Sequence, residues 1–134
     1  MTAKEFLSQS FLLNQQIDSK LEQVRQLNDL AQKCTAAVSG MPRNPNRGNS
    51  QLENTVCKIV DLKNEINSDI DRLVRLKIEI AAAIQALDNP DERIVLEKRY
   101  LSFLSWKEIA AEMRYSVRNL YRIHDRGLEN IKVP

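Results

Sequence analysis

A heptad repeat in the middle of the chain constrains its fold more than any other feature. Between residues 52 and 87 an apolar side chain recurs every seven residues. The six members of this repeat are Leu52, Ile59, Ile66, Leu73, Ile80 and Leu87. A seven-residue apolar period places side chains on one face of an α-helix and brings that face against another helix. The repeat predicts a long helix, which we expect to start at the capping box formed by Ser50 and Glu53 and to end near Asp88.

The N-terminal residues supply a partner for this helix. Thr2 and Glu5 form a second predicted capping box, and the helix that they start is expected to run to about Ser39. Its apolar side chains also follow heptads, in two series, the first of which is interrupted by Lys20. The first series contains Phe6, Leu13, Leu27 and Cys34, and the second contains Ile17, Val24, Ala31 and Val38.

Residues 40–49 are rich in proline, glycine and asparagine, which is typical of a loop. A loop of this length lets the two helices fold back on each other. The paired positions are then Val38 with Leu52, Ala31 with Ile59, Val24 with Ile66, and Ile17 with Leu73. We therefore predict an all-α chain whose residues 1–88 form a long antiparallel helical hairpin, a coiled coil.

Residues 89–134 carry three further helix-start signals and form the second predicted domain. Asn89 is followed by a proline, Ser105 and Glu108 make a capping box, and Ser116 is a third N-cap. The supporting helix after Asn89 is expected to bury Ile94, Val95 and Leu101. The two helices after it are short and separated by a tight turn. This order predicts a helix-turn-helix domain.

The last helix is basic on one face. Between Arg114 and Lys132 there are five basic and two acidic residues, a balance of +3. The apolar face is expected to contain Leu120, Ile123, Gly127, Leu128 and Ile131. A solvated helix face would show the same polar residues, whereas a helix in a DNA major groove would use arginine to read guanine and asparagine to read adenine. The candidate DNA-binding residues are Ser116, Arg118, Asn119, Tyr121, Arg122 and Arg126, with Lys107 as a phosphate contact from the preceding helix.

The motif LSWKEIA at residues 104–110, the pair Tyr115-Ser116 and the run YRIH at 121–124 resemble region four of bacterial sigma factors. They are more closely similar to the sigma-region-four-like domain of small prophage proteins of Gram-positive bacteria. The resemblance covers Asp91–Ile131 and extends weakly over the hairpin. It implies a phage-encoded transcriptional regulator. The family usually has glycine where this chain has Arg114, so we expect a reshaped or strained turn there.

Other functions find little support in the sequence. No metal-ligand spacing or phosphate-binding glycine loop is present, and His124 lacks a catalytic partner placed by any motif. We therefore expect no enzyme activity, cofactor or metal. Cys34 and Cys57 do not form a metal or disulfide framework. The chain has no apolar run long enough for a membrane span and no signal-peptide pattern, so we expect it in the cytoplasm of a bacterial host cell.

Two alternative functions stay open at this point. The first is a phage DNA-packaging protein of the small-terminase type, which also joins a helix-turn-helix to helical oligomerisation elements. The second is a sigma-like module that docks on RNA polymerase without reading bases. The hairpin also carries more apolar side chains than one helix pair can bury. Either the C-terminal helices cover part of this surface or two chains pair into a four-helix bundle, and we favour the homodimer.

Overall fold

The computed structural model describes residues 1–39 and 45–134, with side chains for residues 1–34 and 50–134. These residues form five helices and no strand, so the all-α prediction is confirmed. The helices are α1 (Ala3–Ser39), α2 (Pro45–Gln85), α3 (Pro90–Leu96), which continues as a π-helical segment (Glu97–Leu101), α4 (Trp106–Met113) and α5 (Val117–Asn130).

Helix α1 begins where the sequence predicts. The Thr2 N–H donates to Glu5 Oε2 at 3.1 Å, and the Glu5 N–H donates to Thr2 Oγ1 at 3.2 Å, which completes the capping box. Helix α2 instead begins at Pro45, so its predicted start at Ser50 is wrong. Proline suits the first position of a helix because the N–H that it lacks would have had no partner there. The predicted loop residues 40–44 lie outside the described residues.

Residues Gln15–Asp71 form one compact unit, made from parts of α1 and α2. Its buried apolar side chains are Ile17, Val24, Ile59, Leu62 and Ile66. The lysine that interrupts the heptads, Lys20, donates to Asp69 Oδ2 at 2.7 Å and lies 3.6 Å from Glu65 Oε2. The hydrogen bond to Asp69 raises the pKa of Lys20. Because an ionic pair in an apolar seam forms in one register only, we interpret it as a device that fixes how α1 and α2 pair.

The second compact unit joins Met1–Asn14 to Arg72–Pro134. Its main core contains the buried side chains Phe6, Leu7, Ile80, Ile84, Leu87, Leu96, Tyr100 and Ile131. The Ser10 hydroxyl is fully buried and donates to the Tyr100 carbonyl at 2.8 Å. The start of α1 is thus packed with the C-terminal helices, across the boundary at residue 88 that the sequence suggested.

A smaller core in the same unit holds α4 and α5 against α3. Val95, Ile109 and Leu120 are fully buried in it. Gly127 allows α5 to approach α3 closely, because a Cβ atom there would lie 3.0 Å from Leu96 Cδ1. This contact explains a glycine inside a helix, where it costs roughly 0.5–1 kcal/mol relative to alanine.

Candidate nucleic-acid interface

The turn between α4 and α5 is built by local hydrogen bonds at both helix ends. Ser105 and Glu108 form the predicted capping box at the start of α4. Ser116 caps α5, because its hydroxyl accepts the Asn119 N–H at 3.1 Å. Arg114 ends α4 in the left-handed region, with φ 58° and ψ 36°. A non-glycine residue there is strained by about 1 kcal/mol or more, so the expected strain is present.

Two polar contacts fix this pair of helices to α3. The Tyr115 hydroxyl, next to the strained residue, lies 3.4 Å from both carboxylate oxygens of Asp91. At the other end of α5, the Asn130 amide donates to the buried Glu92 carboxylate at 3.1 Å. Contacts to α3 therefore hold α5 in place both just before its first residue and at its C-terminal end.

The predicted basic face lies in solvent. Arg118, Tyr121, Arg122 and Arg126 are exposed, and Asn119 is half-buried. The three arginines follow one another at four-residue intervals, so they lie in one row along α5. Lys107, on α4, is also exposed and lies outside this row.

Charged side chains of residues 91–134 divide into two groups by what they contact. Cations of the α3 segment are engaged within the chain: Arg93 donates to the Leu87 carbonyl, Lys98 pairs with Glu112, and Arg99 donates to the Leu104 carbonyl. Among the described residues, none of the cations on α4, the turn, α5 or the segment after it has a hydrogen bond or ion pair from its side chain. These cations are Lys107, Arg114, Arg118, Arg122, Arg126 and Lys132.

The acidic side chains of the same segment are mostly engaged. Six of the seven accept hydrogen bonds or pair with a basic group: Asp91, Glu92, Glu97, Glu108, Glu112 and Asp125. Residues 106–132 carry six basic and four acidic side chains, and Lys98 pairs with one of the acidic ones, Glu112, so the surface of α4, the turn and α5 keeps a net positive charge. Such a surface attracts a polyanion.

An aromatic cluster joins α4 and α5 beneath the basic face. The Trp106 ring meets Tyr121 edge-on, with centroids 4.9 Å apart, and meets His124 in the same way at 5.0 Å. The Arg99 guanidinium also lies over the Trp106 ring, 4.9 Å from its centroid. The Trp106 ring thus packs against Tyr121, a candidate DNA-binding residue, and fixes its orientation.

His124 is a structural residue in this cluster. It is buried, and its Nε2 lies 2.6 Å from the Tyr100 hydroxyl, while Nδ1 lies 3.2 Å from Asp125 Oδ1. Burial lowers the pKa of His124, although Asp125 opposes this, and burial raises the pKa of Tyr100. The neutral tautomer that fits both contacts carries its proton on Nδ1, donates to Asp125 and accepts from Tyr100.

The contact between His124 and Tyr100 could not be predicted from sequence, because the two residues are 24 positions apart and lie on different helices. Of the predicted site residues, Arg118, Arg122 and Arg126 are brought together in one row, Ser116 serves as the cap, and Lys107 stands apart on α4. Arg114 was noticed as an unusual turn residue but not as part of the site.

Comparison with known proteins identifies a family. Residues 46–132 match the family model described as "Protein of unknown function (DUF1492)", and the chain belongs to this family. No curated protein and no solved structure matches the chain.

The described part of the chain contains neither a cluster of metal ligands nor a helix that could cross a membrane. No group of three or more histidine, cysteine, aspartate or glutamate side chains there could hold a metal ion. Among the same residues, none of the helices combines the length and apolar character required to cross a membrane.

Proposed function

We propose that the chain is a sequence-specific DNA-binding protein, in which α4 and α5 act as a helix-turn-helix. In this proposal α5 enters the major groove of double-stranded DNA, and α4 crosses the phosphate backbone. The observation that carries the proposal is the contrast in charge: the cations of the α3 segment are engaged within the chain, and those of α4, the turn and α5 are not. A merely solvated face would not require this division.

The proposal gives each candidate side chain a role. Arg118, Asn119 and Arg122 lie in the first two turns of α5, the part of a recognition helix that meets base edges. Arg126 lies one turn further along, where we expect a phosphate contact. The Ser116 oxygen already accepts the Asn119 N–H in the cap, so we expect this residue to set the angle of α5 and to reach phosphate only by donating its O–H.

The resemblance to sigma region four supports a role in transcription, and the resemblance to small prophage proteins supports a phage-encoded regulator acting in the cytoplasm of its bacterial host. DNA packaging has no observation in its favour. Docking on RNA polymerase without base reading is the competing outcome, and DNA-binding measurements separate it from the proposal.

The proposal is tested by selecting bound duplexes from a random DNA library with the full chain and then measuring affinity across salt concentrations. We expect an enriched sequence and a plot of log affinity against log salt with a slope of roughly −3 to −5, because each neutralised phosphate contributes about −0.9. If the chain binds no duplex even at about 50 mM salt, the proposal is wrong and a protein partner takes its place.

The position of Lys107 on the helix that crosses the backbone gives a specific prediction. Lys107→Ala should weaken binding to selected and unrelated duplexes alike and should make the salt slope shallower by about 0.9. Lys63→Ala is the matched control, because Lys63 is an exposed lysine on α2 and is not part of the proposed helix-turn-helix. Equal effects of the two substitutions would remove α4 from the interface.

We also propose that the chain forms a homodimer through the unit Gln15–Asp71. Several large apolar side chains of this unit are exposed: Leu21, Leu30, Val56, Val60 and Ile70. We assign a second copy as the partner because residues 15–71 contain seven basic and eight acidic side chains, so two copies of this nearly neutral unit do not strongly repel each other. A dimer would also place two recognition helices on one operator.

Sedimentation equilibrium at micromolar concentration should then give about twice the chain mass of 15.4 kDa. The double substitution Val60→Asp with Ile70→Asp should convert the dimer to a monomer that keeps its helical circular dichroism, since both side chains are exposed in the single chain. A wild-type monomer at all concentrations would show that the apolar side chains serve another purpose.

A further inference from the structure

Two residues other than glycine have positive φ in the described part of the chain, and they flank α4. Phe103 (φ 59°) precedes the helix and Arg114 (φ 58°) ends it. A side chain in this conformation is strained, and strain persists where the side chain does something that a glycine could not do. The two residues can therefore be compared for what each side chain contributes.

The strain at Phe103 has an explanation within the chain. Its ring meets Phe11 edge-on with centroids 5.8 Å apart, and the Lys77 ammonium lies 4.5 Å from the Phe103 ring centroid. Lys77 also donates to the Leu101 carbonyl at 3.1 Å, which holds the same turn. Glycine at this position would relieve the strain but would lose the ring contacts.

The strain at Arg114 has no such explanation. The side chain is exposed, and it forms no hydrogen bond, ion pair or ring contact with any described residue. The backbone alone does the work of ending α4, because the Arg114 N–H donates to the Ala110 carbonyl. Glycine would end the helix without strain, so no contact among the described residues accounts for a guanidinium at this position.

The position of Arg114 indicates the chemistry of its partner. It stands two residues before Ser116, the cap of α5, and about 7 Å at most separates their Cα atoms along the chain. The same α4–α5 segment carries Lys107 and Arg118, whose exposed side chains also have no hydrogen bond or ion pair within the described residues. A guanidinium in such surroundings binds an anion, and its planar fork suits a phosphate.

We propose that Arg114 is a phosphate-binding residue, which the chain keeps at a strained turn position at the expense of fold stability. This inference rests on the proposed function, and it adds the turn between the helices to the surface that contacts the DNA backbone. The contact is independent of sequence, so Arg114 should affect all duplexes alike.

Three substitutions at this position separate the charge from the strain. Arg114→Gly removes both, Arg114→Gln removes the charge and keeps the strain, and Arg114→Lys keeps both. We expect the glycine and glutamine variants to bind selected and unrelated duplexes about five- to tenfold more weakly at about 100 mM salt, with a salt slope shallower by about 0.9. The lysine variant should keep the wild-type salt slope, because it retains the positive charge that releases a counterion, and should bind more tightly than the glycine and glutamine variants while losing the forked contact of the guanidinium.

Thermal unfolding supplies the second readout. Arg114→Gly should raise the melting temperature by about 3–6 °C, whereas the glutamine and lysine variants should melt near the wild type. A glycine variant that is more stable and binds DNA more weakly would establish that Arg114 lowers the stability of the fold and strengthens phosphate binding. A more stable glycine variant that binds DNA as well as the wild type overturns this inference and leaves the proposed function intact, whereas absence of DNA binding by the wild type overturns both.

Discussion

Replacing Ile66 with aspartate is expected to destabilise the paired helices by about 3–5 kcal/mol, the usual effect of an uncompensated buried charge. Ile66 is 5% exposed in the unit Gln15–Asp71. The side chains buried with it are apolar except for Asp69, and Lys20 is already bonded to that residue. Among the described residues of the seam, Lys20 is thus already paired and is not available to neutralise a new carboxylate. Because small domains are stable by only about 5–15 kcal/mol, the variant should lose much of its helical circular dichroism and melt at a far lower temperature.

Ile78→Asp is the matched control for this substitution. The residue type, the helix and the new side chain are the same, but Ile78 is 66% exposed. We expect a change within about 0.5 kcal/mol, as for most surface substitutions. Equal melting temperatures for the two variants would contradict the burial of the Ile66 face and with it the predicted heptad seam.

Elements whose signals are local in sequence were predicted well. The all-α class follows from the heptads, and the capping boxes at Thr2 and Ser105 and the cap at Ser116 form the hydrogen bonds that their spacing indicates. Each of these signals depends on side chains within four residues of one another, so no knowledge of the tertiary structure is needed. The start of α2 shows the limit, because Ser50 and Pro45 both carry acceptable start signals and the helix includes both residues.

The buried face of α3 was predicted only in part, since Val95 is fully buried as expected and Ile94 is not. Apolar character pointed to Ile94, which is 40% exposed. The face that packs instead carries Glu92, at 4% exposure, and Tyr100, at 6%. A glutamate can be buried there only because the Asn130 amide, 38 residues away in sequence, bonds its carboxylate. His124 was missed for the same reason, since its partner Tyr100 comes from another helix.

The row of arginines could be predicted from the sequence, but whether nearby carboxylates pair with it could not. Four-residue spacing suffices to place Arg118, Arg122 and Arg126 in one row of a helix. Sequence cannot show that the carboxylate of Glu112 is taken by Lys98, because that pairing depends on how α4 packs against the α3 segment, nor that Asp125 contacts its neighbour His124. Those pairings leave the row of arginines unneutralised, and they turn a weakly basic segment into a surface with a clear positive field.

The second large effect is expected from Arg118 and Arg122, which lie one turn apart at the start of α5. If α5 lies in the major groove, each guanidinium can make a bidentate contact with a base edge. Arg118→Ala and Arg122→Ala should each weaken binding to the selected duplex by about 1–3 kcal/mol, and the double variant by about 10²- to 10⁴-fold. Each single variant should also lose discrimination at particular base pairs, which can be measured by competition between duplexes that differ at one position.

Arg75→Ala serves as the control, because Arg75 is an exposed arginine on α2 and lies outside the proposed interface. Base reading and simple charge attraction make different predictions for the same three variants. Lost base contacts reduce affinity for the selected duplex far more than affinity for unrelated DNA. Lost charge reduces the affinity for both kinds of duplex by the same factor and makes the salt slope shallower. Both arginines are exposed and neither has a partner within the described residues, so their removal should leave the melting temperature unchanged. Equal losses on every duplex would therefore reduce the proposed recognition helix to a non-specific phosphate-binding surface.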